Sequence, residues 1–232
     1  MEKAMGKKFY VDKGNDPTKF YTLGEEVFNA VTHGVGSVLA IIGTTVLVTL
    51  CAVHGTAYGV GISLIYGASL IILYTMSTLY HAFTGSHIKR VFRIFDHSTI
   101  YLLIAGTYTP LTLGLMRGSA RASVICAVVW ILAILGIILN CISITKFEKI
   151  SMLLYVGMGW AVVFMIKDIV AALSPAGFIL LLAGGLCYTG GIIFYKWNAV
   201  RYMHSVWHLF VLAGSVLHYL CVILYAMPVV LA

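Results

Sequence analysis

Residues 27–88 read VFNAVTHGVGSVLAIIGTTVLVTLCAVHGTAYGVGISLIYGASLIILYTMSTLYHAFTGSHI, without a single Asp, Glu, Lys or Arg. One crossing of a membrane by an α-helix needs about 20 predominantly apolar residues. The stretch is therefore long enough for two crossings, with a turn near His54, Gly55 and Thr56. Such a run is typical of an integral membrane protein and not of a water-soluble domain.

The rest of the chain repeats this pattern. Of its 232 residues, 61% are hydrophobic and only 10% are charged, a composition outside the range of soluble globular domains. Further uncharged stretches occupy 97–116, 122–145, 150–166, 169–195 and 202–232. With one crossing in each, we predict an all-α membrane protein, a seven-helix bundle formed by residues 23–232 and preceded by a basic tail at 1–22. The expected helices span 27–53, 57–82, 95–115, 122–143, 151–171, 176–195 and 203–228.

Basic residues are divided unevenly between the two ends of this bundle. Twelve of the fifteen fall in the tail and in the connections after the second, fourth and sixth helices: Lys3, Lys7, Lys8, Lys13, Lys19, Lys89, Arg90, Arg93, Lys146, Lys149, Lys196 and Arg201. The opposite end has Arg117, Arg121 and Lys167. Because positive charge stays on the cytoplasmic side, the N-terminus is expected inside and the C-terminus outside. The net charge of +7 is then a topology signal and does not call for a nucleic-acid partner.

Three histidines and one aspartate fall at the same expected depth, near the cytoplasmic ends of three helices. His81 ends the second helix, Asp96 begins the third, and His204 and His208 begin the seventh. Residues at i and i+4 share one helix face, so the last two imidazoles can reach one ion. Three protein ligands with an open fourth position are typical of catalytic zinc. We therefore predict zinc held by His81, His204 and His208, with Asp96 beside it to orient a water or accept its proton.

Ser77 lies one turn before His81, on the same helix face. Its hydroxyl could bind the water or a substrate carbonyl, or the backbone carbonyl four residues earlier. A hydrolase triad of Ser77, His81 and Asp96 is a competing arrangement, but it leaves His204 and His208 without a role. Each histidine could also be an ordinary polar residue at the membrane interface. The shared depth of four such side chains favours the metal site.

Two other polar positions have less direct interpretations. Glu25, Glu26, Asn29 and His33 form a cluster at the start of the first helix, which we interpret as a mainly structural network at the cytoplasmic rim. His218 lies about 15 Å along the seventh helix from His208, too far to share its metal.

These motifs resemble the hemolysin III family, the bacterial branch of the progestin and adipoQ receptor superfamily. The resemblance runs from about residue 22 to the C-terminus and rests on four segments: Glu25-Glu26-x-x-Asn29-x-x-Thr32-His33, Ser77-x-x-x-His81, Asp96-His97 with the following residues to Pro110, and His204-x-x-x-His208 with His218. It implies a seven-helix bundle with an inside N-terminus and a zinc at its cytoplasmic side. The family pattern of Ser, His, Asp and paired His matches Ser77, His81, Asp96, His204 and His208.

The same superfamily includes alkaline ceramidases, which hydrolyse lipid amides. We accordingly expect a zinc-dependent hydrolase of membrane lipid amides or esters, with Asp96 as general base and Ser77 steadying the oxyanion or the water. A cytolytic pore and a lipid-sensing receptor with structural zinc are the alternatives. The pore requires a polar path, and no stripe of charge runs through the predicted helices. In each case we expect a multi-pass protein of a bacterial plasma membrane, with membrane lipid as substrate or ligand.

Overall fold

A computed structural model of the protein describes residues 21–84, 86–197 and 199–231. Within those ranges the chain is helical, with short connections and no strand. The predicted all-α class is therefore confirmed. The predicted basic tail lies outside the described residues except for Tyr21 and Thr22.

The regular helices are numbered in chain order. They are α1 (Leu23–His54), α2 (Ala57–Ala82), α3 (Ser86–Thr109), α4 (Ala120–Gly159), α5 (Ile166–Ala172), α6 (Pro175–Lys196), α7 (Met203–Cys221) and α8 (Met227–Leu231). Wider π-helical turns follow α3 at Pro110–Leu115 and α7 at Val222–Ala226, and a 3₁₀ segment at Ala161–Met165 joins α4 to α5.

Five segments of the described chain are long and apolar enough to cross a membrane. They are Leu23–His54, Ala57–Ala82, Ala120–Ala172, Pro175–Lys196 and Met203–Ala226. Many large apolar side chains on them face outwards, including Leu153 at 73% and Phe164 at 78% exposure. Exposed apolar surface of this kind is suited to lipid, so the protein is a multi-pass membrane protein.

Helix α3 begins earlier than the sequence indicates. The sequence predicts a start near residue 95, but the helix begins at Ser86 and includes Lys89, Arg90 and Arg93, which are predicted to lie in a connection. The prediction was wrong because charge marks the limit of an apolar stretch, whereas a helix ends only where its backbone hydrogen bonds end. Asp96 is therefore inside a helix and not at its first turn.

The predicted fourth and fifth helices are joined through α4, which is broken at one residue. Ser143 has φ −169° and ψ 112°, an extended conformation inside an otherwise helical run. A polar contact ties the two halves together across the break, since Ser151 donates a hydrogen bond of 2.9 Å to the side-chain oxygen of Asn140. Tyr155, in the second half, donates a 2.7 Å hydrogen bond to the backbone carbonyl of His97. The second half is thereby attached to α3 next to Asp96.

The first turn of α1 is fixed by a reciprocal cap. Thr22 accepts a hydrogen bond from the backbone of Glu25, and the Glu25 carboxylate accepts one of 2.7 Å from the backbone of Thr22. The other Glu25 oxygen accepts a 2.8 Å hydrogen bond from the backbone N–H of Tyr202, which precedes α7 with φ +64°. This contact places the start of α7 beside the start of α1. Helix α1 packs against both α2 and α7, so the three lie side by side.

Candidate metal centre

His81, His204 and His208 converge at one end of the bundle. Their potential ligand nitrogens all lie within 4.8 Å of one another. Nε2 of His204 and Nε2 of His208 are 3.1 Å apart, close to the ~3.3 Å that separates two nitrogens bound to one tetrahedral zinc at about 2.0–2.1 Å. His81 and His208 are each only 2% exposed. Helices α2 and α7 thus bring together the three histidines that the sequence singled out.

The protonation pattern of His81 suits a metal ligand. Its Nδ1 lies 2.6 Å from Oε2 of Glu26, so the ring donates its Nδ1 hydrogen to that carboxylate. Its Nε2 is buried and has no hydrogen-bond partner among the described residues. A histidine that donates one ring hydrogen to a carboxylate while the other nitrogen holds the ion is the usual arrangement in zinc proteins. The residues present therefore fit a bound metal ion.

Helix α1 lies directly behind these ligands. Asn29, with no exposed surface, accepts a 2.6 Å hydrogen bond from Ser205 on α7, and its side-chain nitrogen is 3.5 Å from Nδ1 of His81. One turn further, the ring of His33 stacks on His208 with centroids 3.7 Å apart and planes 18° apart. The α1 cluster is thus more than the rim network that we expected. Its visible signal was the spacing of Glu26, Asn29 and His33 along one face of an otherwise apolar helix.

Asp96 and Ser77 lie beside the histidines without joining the ligand group. Ser77 is 2% exposed on α2, and its hydroxyl lacks a well-formed hydrogen bond among the described residues, although it is near enough to Asp96 to interact. Asp96 on α3 is partly buried, with 15% of its side chain exposed. It also interacts electrostatically with His81. Both side chains therefore lie close to the converging histidines.

One elongated cavity of about 150 Å³ adjoins the site. Its polar end is lined by Ser77, Asp96, His204 and His208, and its walls continue inwards along α3 to Tyr108 and along α7 to His218. From His204 to His218 is about 21 Å of helix at 1.5 Å per residue. Most of the lining between the two ends is apolar: Leu73, Ile100, Leu103, Ile104, Val156, Trp207 and Val211.

Two other histidines near this cavity donate hydrogen bonds to backbone carbonyls. His97 donates from Nδ1 to the backbone carbonyl of Arg93 at 3.0 Å, and the same nitrogen is 3.4 Å from Asp96. His218 donates from Nε2 to the carbonyl of Leu181 at 3.0 Å, at the inner end of the cavity. Neither belongs to the group of histidines that could hold a metal.

Comparison with known proteins identifies the family to which the chain belongs. A family profile described as "Haemolysin-III related" matches residues 21–219. "Hemolysin-3" of Bacillus cereus is 44% identical over 204 residues, 88% of this chain and 93% of that protein. "Hemolysin-3 homolog" of Bacillus subtilis (strain 168) is 40% identical over 209 residues, 90% and 98% of the two chains.

A more distant relative comes from animals. "Monocyte to macrophage differentiation factor" of Homo sapiens is 30% identical over 207 residues, 85% of this chain and 83% of that protein. The residues matched by the family profile include His81, His204 and His208, together with Ser77 and Asp96. The resemblance expected from the motifs is confirmed, and the chain belongs to the haemolysin-III-related family.

Proposed function

We propose that this protein is a zinc-dependent hydrolase that cleaves an amide or ester bond in membrane lipids. One observation carries the proposal: His204 and His208, two of the converging histidines, line the same largely apolar cavity as Asp96 and Ser77. A metal-binding group beside a carboxylate and a hydroxyl is a hydrolytic set. The apolar walls supply a reason for the substrate to be a lipid.

The proposal includes seven membrane crossings. The segment Ala120–Ala172 has 53 residues, about 80 Å of helix at 1.5 Å per residue, whereas the hydrocarbon core of a bilayer is about 30 Å thick. It must cross twice, and the extended residue Ser143 supplies the break. Helix α3 with its π-helical continuation to Leu115 adds a seventh crossing to the other segments. The uneven distribution of basic residues then places the histidine cluster at the cytoplasmic end.

Zinc is the ion that we assign to this centre. Imidazole nitrogens suit zinc, copper, nickel and iron. Among these, zinc commonly works with three protein ligands and one open position in hydrolytic enzymes. A zinc ion held by His81, His204 and His208 would polarise the substrate carbonyl and lower the pKa of a water molecule towards about 7.

The side chains around the centre have separate roles in this proposal. Asp96 accepts a proton from the attacking water and then delivers it to the departing amine or alcohol. Ser77 donates a hydrogen bond to the carbonyl oxygen, on which negative charge develops. Water adds to the carbonyl carbon, the C–N or C–O bond breaks, and the products are a fatty acid and the amine or alcohol of the lipid.

The cavity would hold the acyl chain. Its apolar walls extend from the histidines towards the middle of the bundle, parallel to α3 and α7. An acyl chain in this position places its carbonyl next to Asp96 and excludes bulk water from the reacting atoms. Chain length and chain branching, more than headgroup chemistry, should therefore control binding.

The second candidate is a membrane-lytic activity, because the Bacillus cereus relative is named "Hemolysin-3". A pore of charged side chains does not account for such an activity. Among the described residues, the charged side chains that are buried are Glu25, Glu26 and Lys89, all at the histidine end of the bundle. A lytic activity would then follow from altered lipids.

The decisive experiment measures fatty-acid release by purified protein in lipid nanodiscs. The panel contains ceramides, phospholipids and lysophospholipids, each with several acyl chains. Activity should disappear after chelation, return with zinc, and be absent from His208→Ala. No turnover on any lipid by the zinc-loaded protein would overturn the enzyme proposal and favour a lipid-sensing receptor in which zinc is structural.

A further inference from the structure

Lys89 is a lysine buried inside an apolar bundle. Only 3% of it is exposed, and its ammonium lies 2.9 Å from Oε1 of Glu26. The same ammonium is 5.0 Å from the ring centre of Tyr80, the neighbour of His81 on α2. A buried charge is stable only when it is paired, so Glu26 and this ring retain the lysine in the first turn of α3.

The Glu26 carboxylate is shared between two groups. Oε1 faces Lys89, and Oε2 accepts the ring hydrogen of His81. Lys89 and Glu26 together have no net charge, and the three imidazoles are neutral when they bind a metal. A divalent ion in this centre would therefore lie near a carboxylate whose charge is already balanced by an internal cation.

We propose that Lys89 lowers the affinity of the histidine centre for its divalent ion, which keeps that ion exchangeable. The inference rests on the metal centre proposed above and concerns how tightly the centre holds its ion. Two effects of the lysine oppose each other. By fixing Glu26 it orients His81, which favours binding; by its charge it repels the ion, which disfavours binding.

The charge effect is the larger one. The hydrogen bond of 2.6 Å from His81 uses Oε2 of Glu26, whereas Lys89 faces Oε1, so this bond should persist without the lysine. The repulsion acts on two charges of the ion through a buried region where screening by water is weak. Loss of the ammonium should therefore tighten metal binding, although an ordinary supporting residue would weaken it when removed.

The test is a charge-balance series of four proteins, with zinc affinity measured by competition with a chromogenic chelator. Lys89→Met, which removes the positive charge, should bind zinc about tenfold or more tightly than the wild type. Glu26→Gln, which leaves the lysine unbalanced, should bind about tenfold or more weakly. The double variant Glu26→Gln/Lys89→Met restores neutrality and should return to within about tenfold of the wild type.

Two further variants separate charge from structure. Lys89→Arg keeps the charge and should bind zinc like the wild type. Arg90→Met removes an exposed charge from the same turn and should have no effect. The visible spectrum of the cobalt(II)-loaded proteins reports whether Lys89→Met retains the ligand geometry, and circular dichroism reports folding of each variant.

Weaker or unchanged zinc binding in a folded Lys89→Met overturns the proposal and makes the lysine a structural anchor only. A double variant that binds zinc as weakly as Glu26→Gln, so that removal of the lysine charge does not compensate for loss of the carboxylate, overturns it as well. If the wild-type protein binds no divalent ion, the proposed metal centre itself is refuted. This result can be told apart from failure of the Lys89 proposal, because it is seen before any variants are compared.

Discussion

Ser205 on α7 donates a hydrogen bond of 2.6 Å to the side-chain oxygen of Asn29 on α1. Both residues are buried, and each adjoins a candidate ligand: Ser205 follows His204, and Asn29 lies 3.5 Å from His81. Helix α1 thus connects the two helices that carry the histidines without supplying a ligand. The relative position of His81 and the α7 pair depends on this third helix.

The three histidines should be required together for metal binding. The wild type should contain about one zinc ion per chain. Most of that zinc should be lost from each of the single variants His81→Ala, His204→Ala and His208→Ala, because two imidazoles bind zinc far less tightly than three. Elemental analysis of purified protein measures this. His97→Ala is the matched control, since its ring donates to a backbone carbonyl. Full zinc content in all three variants would refute the assignment.

Asn29→Ala should weaken zinc binding by about 10–100-fold, as is usual when a group that orients a ligand is lost. It also leaves the Ser205 hydroxyl buried without its acceptor, which costs about 1–3 kcal/mol of stability. Zinc affinity and thermal unfolding would be measured in parallel.

The control for Asn29→Ala is Ser37→Ala, which removes a 2.8 Å hydrogen bond between Ser37, further along α1, and Thr75 on α2. Ser37→Ala should lower the stability of the protein and leave its zinc affinity unchanged. Equal zinc affinity in Asn29→Ala and Ser37→Ala would show that α1 does not position the ligands.

The position of a residue along its helix is what the sequence predicts well. Long uncharged stretches predict apolar helices, and the structure brings together His81, His204 and His208, which the sequence places near the same ends of two helices. The spacing of four residues between His204 and His208 also predicts that both lie on one face of their helix. Position along a helix and spacing within it can be read directly from the order of the residues.

Rotation of each helix about its axis is what the sequence leaves open. Glu26 and Asn29 visibly share a face, but only packing shows that this face is turned towards α2 and α7. Lys89 illustrates the same limit: a lysine followed by Arg90 and Arg93 is typical of an exposed connection, but this one is buried against Glu26. The break at Ser143 has no proline or glycine to mark it.

The packing of α3 against α4 predicts a sharp contrast between two glycines. A methyl group on Gly136 would lie 2.2 Å from the ring of Tyr101, which is fully buried and packs on Tyr155 with centroids 4.4 Å apart. Gly136→Ala should therefore cost about 1–3 kcal/mol of stability. Gly157→Ala, in the same helix, meets nothing within 4 Å and should be neutral or slightly stabilising. Equal unfolding temperatures in detergent would contradict the packing described here.

The proposed topology places the two termini on opposite sides of the membrane. Reporter fusions that are active on only one side should show residue 1 inside and residue 232 outside, because the basic residues favour the cytoplasmic end. A fusion after Lys146, next to the break at Ser143, should report inside, and one after Arg117 should report outside. Termini on the same side would remove one crossing from the proposed seven.

Asp96→Asn should separate metal binding from chemistry. Asp96 lies beside the histidines and not among the group that could hold a metal, so the variant should keep its zinc. An amide cannot accept the proton of the attacking water, and turnover of the lipid substrate should fall by about 10²–10⁴-fold. Asp168→Asn is the control, since that carboxylate is half-exposed and pairs with Arg121 at 3.2 Å. Loss of zinc from Asp96→Asn would make Asp96 a ligand, and unchanged turnover would exclude it as the base.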